Sequence, residues 1–397
     1  METNKPRILF VNNNMHIGGV QKALISLLTT IESKYDITLL LFHAEGELMS
    51  EIPESVHIVT TNGLYRYLGM RKTECTSLID KVCRMFLAAV GNILGLKWVM
   101  ELLKLFGKID DLGYFDVVIS YLHCSSPKSF YGGTAEYVLR YKHARKKVCY
   151  VHCDYVNSGT ASDYSKNIYS HFDAIACVSH SVRQRFLSVL PQMDKRTFAI
   201  SNPIMEEQIR ELSQIDTYQY DSAYLNFLTV ARLSEEKGVD RFVHVMSTVR
   251  GQQVRYYVVG DGKSREMIEQ TIKENGLEEQ VFLLGEDANP YRYMARADML
   301  IVPSYHEAAP VVFQEAAALG LPVFTTRTTS AEEMIAGING IVVDNNEVAM
   351  AEGIHDYLRR HKAGEKNNIV RRQRAAFDRK LFWERFDSLV SPYKNPQ

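Results

Sequence analysis

The chain has 397 residues, of which 46% are hydrophobic and 23% are charged, and its formal net charge at pH 7 is -1. This length suffices for two domains with separate cores, and the composition is typical of a globular protein. Because so small a net charge gives no overall attraction to nucleic acid, we expect no nucleic acid partner and only local charged recognition.

The cysteines and the apolar runs indicate the compartment. No two of the six cysteines form a zinc-type CxxC pair, and the chain opens without a signal sequence. The longest uncharged apolar stretch, residues 85–96, is much shorter than the roughly 20 residues that span a bilayer. We expect free thiols and a cytoplasmic location, with peripheral contact at the inner face of the membrane as an open alternative.

The first half alternates strand and helix patterns. Residues 7–11 form a short apolar run that enters a loop containing Gly18 and Gly19, and helical spacing then precedes a second strand. Later strands are predicted at residues 116–120, 147–151, 174–179 and 197–201. This order predicts a doubly wound α/β domain with a parallel sheet over residues 1–204.

The pattern stops near residue 204 and then starts again. Residues 205–224 are polar and without a clear period, which predicts a linker. Strands are then predicted at residues 227–230, 256–260, 281–284, 299–302, 322–325 and 341–343. Helices are predicted from about residue 240 and at residues 264–275, 290–295 and 312–319. The pattern predicts a second Rossmann-like domain over residues 205–376, and two such domains facing a central cleft would bind a ligand at the carboxyl ends of their strands.

Two basic residues follow the first strand of the second half. Arg232 and Lys237 lie in the segment VARLSEEKG, and a guanidinium with an ammonium at a strand exit suits a diphosphate. Two solvated surface charges are the alternative. Gly260 and Gly262 follow another strand, where backbone N–H groups could approach a nucleotide. A simple tight turn is an equal alternative there, because Arg265 replaces the third glycine of a dinucleotide fingerprint.

Two glutamates stand in the segment PSYHEAAPVVFQEA. Glu307 is predicted in a loop and Glu315 in the helix that follows. Carboxylates accept from vicinal hydroxyls, so one glutamate can hold a donor sugar and the other a ribose, while the helix amino terminus faces phosphate. Solvent-exposed glutamates without a ligand are the alternative.

Two predicted strands of the first half end in histidines. His152 can bond a sugar hydroxyl or a backbone carbonyl in the cleft. His123, with a structural or acceptor-side role, and Asp154 are poorer acceptor-side candidates. We expect no metal site, because His152, Cys153 and Asp154 are adjacent on one loop, and adjacent residues rarely chelate a single ion. The chain also lacks an Asp-x-Asp pair to hold a metal on a sugar diphosphate.

Taken in order, these segments resemble the family 4 retaining glycosyltransferases of the GT-B fold, from Arg7 to about Tyr393. GGV at residues 18–20 is similar to the glycine loop that approaches the donor phosphates, and VHCD at residues 151–154 to the segment with the active-site histidine. VARLSEEKG resembles the diphosphate clamp, and the two glutamates resemble the double-glutamate motif. Ala308 and Ala309 replace the usual glycine and aromatic residue, a form similar to a bacterial surface-polysaccharide subgroup. The tail, residues 377–397, resembles a helix that returns to the first domain.

The resemblance implies roles for these residues. The implied catalytic residues are His152, Arg232, Lys237 and Glu307. The implied donor contacts are Gly18, Gly19, Gly260, Ala309, Pro310, Val311 and Glu315. No cofactor is expected besides the nucleotide-sugar substrate, for which a UDP-sugar is favoured. Since no carboxylate pair is placed as nucleophile and acid, we hypothesise a front-face reaction in which the leaving phosphate takes the acceptor proton.

The acceptor and the biological role stay open. Residues 78–108 mix apolar and basic side chains, which indicates amphipathic helices at an inner-leaflet membrane surface or, equally, core helices with solvated lysines. The first interpretation implies a lipid-linked saccharide acceptor in bacterial surface-polysaccharide synthesis. The competing functions are a catalytically silent nucleotide-sugar-binding protein and another GT-B enzyme, such as a nucleotide-sugar epimerase or a phosphorylase.

Overall fold

The computed structural model describes residues 5–61, 63–127, 129–336, 338–363 and 377–391. The chain divides into two compact units. The first contains the chain up to Pro203 together with the segment from Arg379, and the second runs from Ile204 to Asp378. Each unit is built on a parallel sheet of its own, as predicted.

Seven strands form the sheet of the first unit in the residues that the structure describes. They are β1 (Arg7–Asn12), β2 (Asp36–Leu41), β3 (His57–Thr60), β4 (Phe115–Ser120), β5 (Ala144–Val151), β6 (Ala174–Cys177) and β7 (Thr197–Ala199). Their order in the sheet is β3-β2-β1-β4-β5-β6-β7. Buried apolar residues run through β1 and β2 without alternation, which is typical of strands covered on both faces.

In the described part of the chain, seven α-helices lie between these strands. They are α1 (Gly19–Ile31), α2 (Arg66–Gly69), α3 (Leu78–Leu94), α4 (Leu96–Phe106), α5 (Thr134–Arg140), α6 (Asp163–Ser170) and α7 (His180–Val189). Strand β6 is shorter than predicted because Ser179 starts the next helix: its hydroxyl accepts from the backbone N–H of Val182.

Among its described residues, the second unit has six strands and seven α-helices. Its strands are β8 (Leu225–Val230), β9 (Val254–Val259), β10 (Val281–Gly285), β11 (Met299–Val302), β12 (Val323–Thr326) and β13 (Gly340–Val343). Its helices are α8 (Glu206–Leu212), α9 (Val239–Ser247), α10 (Arg265–Glu274), α11 (Tyr291–Met294), α12 (Val311–Ala318), α13 (Ala331–Ile335) and α14 (Glu347–Lys362). The sheet order is β10-β9-β8-β11-β12-β13, with one apolar cluster on each side of the strands.

The prediction of an irregular linker at residues 205–224 was wrong. Helix α8 lies there, and its Ile209 is buried in the core of the second unit. The guanidinium of Arg210 donates to the carbonyl of Ala318 at 3.1 Å, which fastens α8 to the end of α12. The segment looked irregular because only one side of a two-turn helix faces the core.

The last described helix, α15 (Arg379–Val390), belongs to the first unit. Arg385 donates to the carbonyl of Ala199 at 3.0 Å, and the Tyr35 hydroxyl donates to Asp387 at 3.0 Å. Of the predicted segments, residues 364–376 and residues 392–397, Tyr393 included, lie outside the described residues. In the described part of the chain, no helix is long and apolar enough to cross a membrane.

The sheet orders decide where functional loops can meet. In each sheet the strand order reverses once, between β1 and β4 in the first unit and between β8 and β11 in the second. Parallel sheets bind ligands at the carboxyl ends of the strands beside such a reversal. Within each unit, the loops that follow the two strands beside the reversal are therefore the expected ligand-binding loops.

Candidate active site

The strongest contact between predicted site residues joins the loops after β8 and β11. Lys237 follows β8 and Glu307 follows β11, and because these strands are paired, their loops leave the same edge of the sheet. The Lys237 ammonium lies 2.7 Å from a carboxylate oxygen of Glu307, which also accepts from the Ser304 hydroxyl at 2.7 Å. An ammonium has three donor hydrogens, and this ion pair uses one of them. The motif that contains Lys237 and the motif that contains Glu307 are thus in direct contact, although the two residues are 70 positions apart in sequence.

Arg232 lies on the same loop as Lys237 but is held much less firmly. Its side chain is 72% exposed and lies 3.4 Å from the Glu236 carboxylate. An exposed pair of this kind contributes about 0–1 kcal/mol, so an anionic ligand can compete for the guanidinium at small cost. An exposed cation thus lies on the same loop as a largely buried ion pair.

Arg241 connects the loops after β8 and β11 by hydrogen bonds. This role was not predicted from the sequence. Although charged, it is almost fully buried on α9, and it donates to the carbonyl of Pro303 through Nε at 2.7 Å and also through Nη2. It also donates to Asn345 at 2.8 Å, and its guanidinium lies 3.9 Å above the ring of Tyr305. Its position among the apolar residues of α9 is the only signal of this role in the sequence.

Gly238, directly after Lys237, allows this close approach. Its φ is +60°, and a Cβ there would lie 2.4 Å from the carbonyl oxygen of Pro303. Only glycine meets both demands, since L side chains rarely adopt this backbone conformation and no atom fits in the space. The turn before α9 is therefore built around the loop that carries Glu307.

The second glutamate of the motif is a buried residue, not an exposed one. Glu315 is 6% exposed on α12, and its carboxylate accepts from the Tyr291 hydroxyl at 2.8 Å. Helix α12 begins at Val311 after Pro310 and has no acidic residue in its first turn, which leaves the positive end of the helix dipole without an anion from its own turn. Its amino terminus suits a phosphate for this reason.

Ala308 and Ala309 fit the loop without strain. Among the described residues other than glycine, only Asp216 has a positive φ, so the backbone at both alanines is ordinary. The replacement of the family's usual glycine therefore requires no special conformation in this chain. Ala309 and Pro310 directly precede α12 and Val311 starts it, and their donor contacts stay a prediction.

Gly260 is constrained by the backbone rather than open to a ligand. Its φ is +143°, and a Cβ there would lie 1.9 Å from the carbonyl oxygen of Ala231. Its N–H donates to the carbonyl of Gly285 at 2.7 Å, and the N–H of Gly262 donates to the Asp261 carboxylate at 2.6 Å. The donor contact at Gly260 stays a prediction, and its amide is already engaged in a hydrogen bond.

In the first unit, His152 follows β5 within an aromatic stack. The Tyr150 ring is stacked on it at 5.5 Å, and the Tyr121 ring lies 4.7 Å away. Burial and the neighbouring His123 lower the pKa of His152 to about 3, against an opposing backbone hydrogen bond at Tyr121. Its buried Nε2 has no hydrogen-bond partner within the described part of the chain. His152 is therefore a neutral imidazole with one unused nitrogen.

The other two acceptor-side candidates differ in character. Burial disfavours the charged form of His123, but the charge of Cys153 and a hydrogen bond to it outweigh burial and raise the pKa of His123. Asp154 is buried, and its carboxylate accepts from the backbone N–H groups of Val156 and Asn157 at 3.0 and 3.1 Å. These bonds give Asp154 a visible role in holding the turn after His152.

The glycine loop after β1 carries a network that the sequence reasoning also missed. Gly18 precedes α1 and Gly19 starts it, with no acidic residue in the first turn. Beside them, the buried His16 lies 3.2 Å from Glu47 and 2.7 Å from Glu74, and His43 lies 3.4 Å from Glu74. A histidine two residues before a glycine pair was the only available signal, because Glu74 is distant in sequence.

Residues 217–374 match the model of a family described as glycosyl transferases group 1. This match lies within the second unit of the chain. The matched range includes the loops after β8 and β11, so the ion pair between Lys237 and Glu307 lies within the group 1 domain. Over this range, the match confirms the glycosyltransferase family expected from the motifs.

Curated relatives match similar stretches of the chain. The N-acetylgalactosamine-N,N'-diacetylbacillosaminyl-diphospho-undecaprenol 4-alpha-N-acetylgalactosaminyltransferase of Campylobacter jejuni is 29% identical over 156 residues, 38% of this chain and 42% of that protein. The capsular polysaccharide biosynthesis glycosyltransferase CapM of Staphylococcus aureus is 23% identical over 240 residues, 55% of this chain and 61% of that protein. The chain thus spans about half the length of the curated relatives that it matches.

A solved structure matches nearly the whole chain. Alr3699/HepE of Anabaena, in complex with UDP, has a TM-score of 0.63 at 17% identity and covers 97% of both chains. A likeness at this level of identity concerns the fold, and it confirms the predicted GT-B class with two Rossmann-like domains.

Proposed function

We propose that this protein is a retaining, metal-independent glycosyltransferase that moves a sugar from a nucleotide-sugar donor to a lipid-linked saccharide in bacterial surface-polysaccharide synthesis. The observation that carries the proposal is the ion pair between Lys237 and Glu307. It joins the two group 1 motifs at the edge of the sheet where a parallel fold binds its ligand.

The donor half of the proposal rests on the charges of the second unit. Arg232 and the remaining hydrogens of the Lys237 ammonium would hold the diphosphate, and the amino terminus of α12 adds the end of a helix dipole. Glu307 would accept from the donor sugar and Glu315 from the ribose. A UDP-sugar is the favoured donor because the solved structure of Alr3699/HepE contains UDP.

In the proposed front-face reaction, the acceptor hydroxyl attacks the face from which the diphosphate leaves. The bond from the anomeric carbon to the phosphate oxygen breaks as the new glycosidic bond forms, and the leaving phosphate takes the hydroxyl proton. Arg232 and Lys237 would stabilise the negative charge that grows on the leaving group, which is the interaction that lowers the barrier. No metal takes part in this scheme.

The remaining proposed roles, toward the donor as well as the acceptor, belong to residues of the first unit. His152 is neutral and has an unused ring nitrogen, so it suits a hydroxyl rather than a phosphate. We propose that it positions the transferred sugar, that Gly18 and Gly19 approach the donor phosphates, and that His123 supports the acceptor side. A lipid carrier for the acceptor is favoured because the Campylobacter jejuni relative is named for a diphospho-undecaprenol substrate.

A donor screen tests the proposal. Thermal unfolding is measured with UDP-, GDP- and ADP-sugars in the presence of EDTA, and nucleotide release is followed over time. We expect one sugar nucleotide to raise the unfolding midpoint and to be cleaved slowly without metal. Stabilisation without any turnover, also with added saccharide acceptors, would instead assign the chain as a silent nucleotide-sugar-binding protein. Stabilisation by none would refute the donor assignment.

A further inference from the structure

The consecutive helices α3 and α4 present a face of large apolar side chains to solvent. Ile79, Val82, Phe86 and Ile93 are exposed on α3, and Trp98 and Leu105 are exposed on α4. We call these six residues the α3–α4 apolar face. The four on α3 recur at helical spacing and form one stripe about 20 Å long. Scattered exposed apolar residues are ordinary, but a continuous stripe marks an interaction surface.

The helices that carry this face are firmly attached to the first unit. On their inner side, Val99, Met100 and Leu103 are buried. The backbone N–H of Leu96, at the junction of the helices, donates to the carbonyl of Pro127 at 2.7 Å. Gly91 lies so close to Phe130 that a Cβ there would contact its backbone at 3.5 Å. The apolar face therefore belongs to a packed element.

The charges of this segment identify the partner. Residues 78–108 contain five basic and two acidic side chains, a local charge of +3 in a chain whose net charge is -1. Both acidic groups are paired: Asp80 with Arg66 at 2.5 Å and Glu101 with Lys104 at 2.7 Å. A second copy of this chain would bring like charges together, whereas an anionic surface complements them. Trp98 adds the amphipathic ring that is typical of a membrane interface.

We propose that the α3–α4 apolar face binds the surface of an anionic lipid bilayer. Its apolar side chains would enter the boundary between headgroups and acyl chains, and Lys81 and Lys97 would contact lipid phosphates. This binding requires neither donor nor acceptor, so it goes beyond the proposed transferase reaction.

The same contact has a consequence that rests on the proposed function. Helices α3 and α4 pack on the loop after β4, the loop that contains His123. A lipid-linked acceptor would thus be presented on the element that supports the acceptor-side residues. The sugar-transfer proposal and the membrane proposal can fail separately, because vesicle binding is measured without substrates.

Vesicle flotation of the full chain tests the proposal. The test variant is I79Q/F86Q/I93Q, whose three positions are at least 58% exposed, so the core is untouched. The matched control is I215Q/M267Q/V348Q, three exposed apolar residues of the second unit. With vesicles of phosphatidylglycerol and phosphatidylcholine, we expect the test variant to lose about 10²- to 10³-fold in partitioning. The control should bind like the parent.

A second variant tests the charges. K81Q/K97Q should partition about 30-fold less well at low salt, given about 1 kcal/mol per lysine near an anionic surface. Phosphatidylcholine alone should bind the parent and K81Q/K97Q equally weakly. The proposal is overturned if the parent does not float, or if the test variant floats as well as the parent. It is also overturned if the parent is a dimer that I79Q/F86Q/I93Q converts to a monomer, because the face then binds a second copy.

Discussion

The two units hold their candidate site residues in opposite ways. In the second unit the charged groups contact one another: Lys237 is paired with Glu307, and Arg241 holds the neighbouring loop. In the first unit, buried nitrogens of His123 and His152 have no hydrogen-bond partner within the described residues. Buried polar atoms normally have partners, so such nitrogens suggest that a ligand supplies them. The second unit thus holds its charged groups in place for an anionic ligand. The first unit has imidazole nitrogens that can still form hydrogen bonds with hydroxyl groups.

The largest effect is expected where the preorganised charge would act on the reaction. Replacement of Lys237 by alanine should lower kcat about 10²- to 10³-fold, because the ammonium stabilises the departing diphosphate. Steady-state kinetics with the best donor measure this loss. Lys273→Ala, an exposed lysine of α10 in the same unit, is the control and should leave kcat unchanged. Equal kcat values for both variants would remove Lys237 from the mechanism.

The next effect concerns the turn that brings the two loops together. Gly238→Ala should lower the free energy of unfolding of the second unit by about 3 kcal/mol, since it combines an unfavourable φ with a contact to Pro303. Gly285→Ala, at φ +83° with open space around it, should cost about 1 kcal/mol. Denaturant unfolding of both variants gives the difference. Equal losses would mean that loop contact, as opposed to backbone conformation, is unimportant.

A pH titration of protein stability tests the description of the first unit, in which His152 is neutral. The pKa of His152 is lowered to about 3, so as pH falls below about 6.5 the unfolded chain takes up the proton first. The folded state should lose stability between about pH 6.5 and 3, by at most about 1.4 kcal/mol per pH unit. His152→Gln should flatten this dependence, and the exposed His57→Gln should not. An unchanged pH profile in His152→Gln would contradict a buried neutral imidazole.

The smallest effect is expected at the network beside the glycine loop. His16→Gln should destabilise the first unit by about 1 kcal/mol, because two carboxylates lose a buried partner. His143→Gln removes an exposed pair at 3.8 Å and an edge-to-face ring contact with Tyr141 at 6.5 Å, and it should have a smaller effect than His16→Gln. Thermal unfolding of the two variants decides the point, and identical midpoints would show that the network does not hold the loop.

Much of the fold could be predicted because the inner strands are continuous apolar runs that end in polar loops. Strand β3 escaped prediction because it is a four-residue edge strand with mostly exposed side chains. The candidate site residues of both loops were predicted from their motifs, and their roles stay predictions. Their contact could not, since the ion pair of Lys237 depends on the adjacency of β8 and β11, which no local pattern encodes.

The buried roles were the hardest to foresee. A charged residue such as Arg241 is normally exposed, and its burial follows only from the position of the Pro303 carbonyl in three dimensions. The unused nitrogens of His123 and His152 likewise depend on which groups surround them and not on the residues beside them in the chain.

The most direct test of the proposed mechanism is proton NMR of the product formed from an α-linked UDP-sugar in the presence of EDTA. We expect a product with the α configuration, formed at the same rate with and without added magnesium. A β product would contradict the front-face reaction, and a strict requirement for magnesium would contradict charge stabilisation by Arg232 and Lys237 alone.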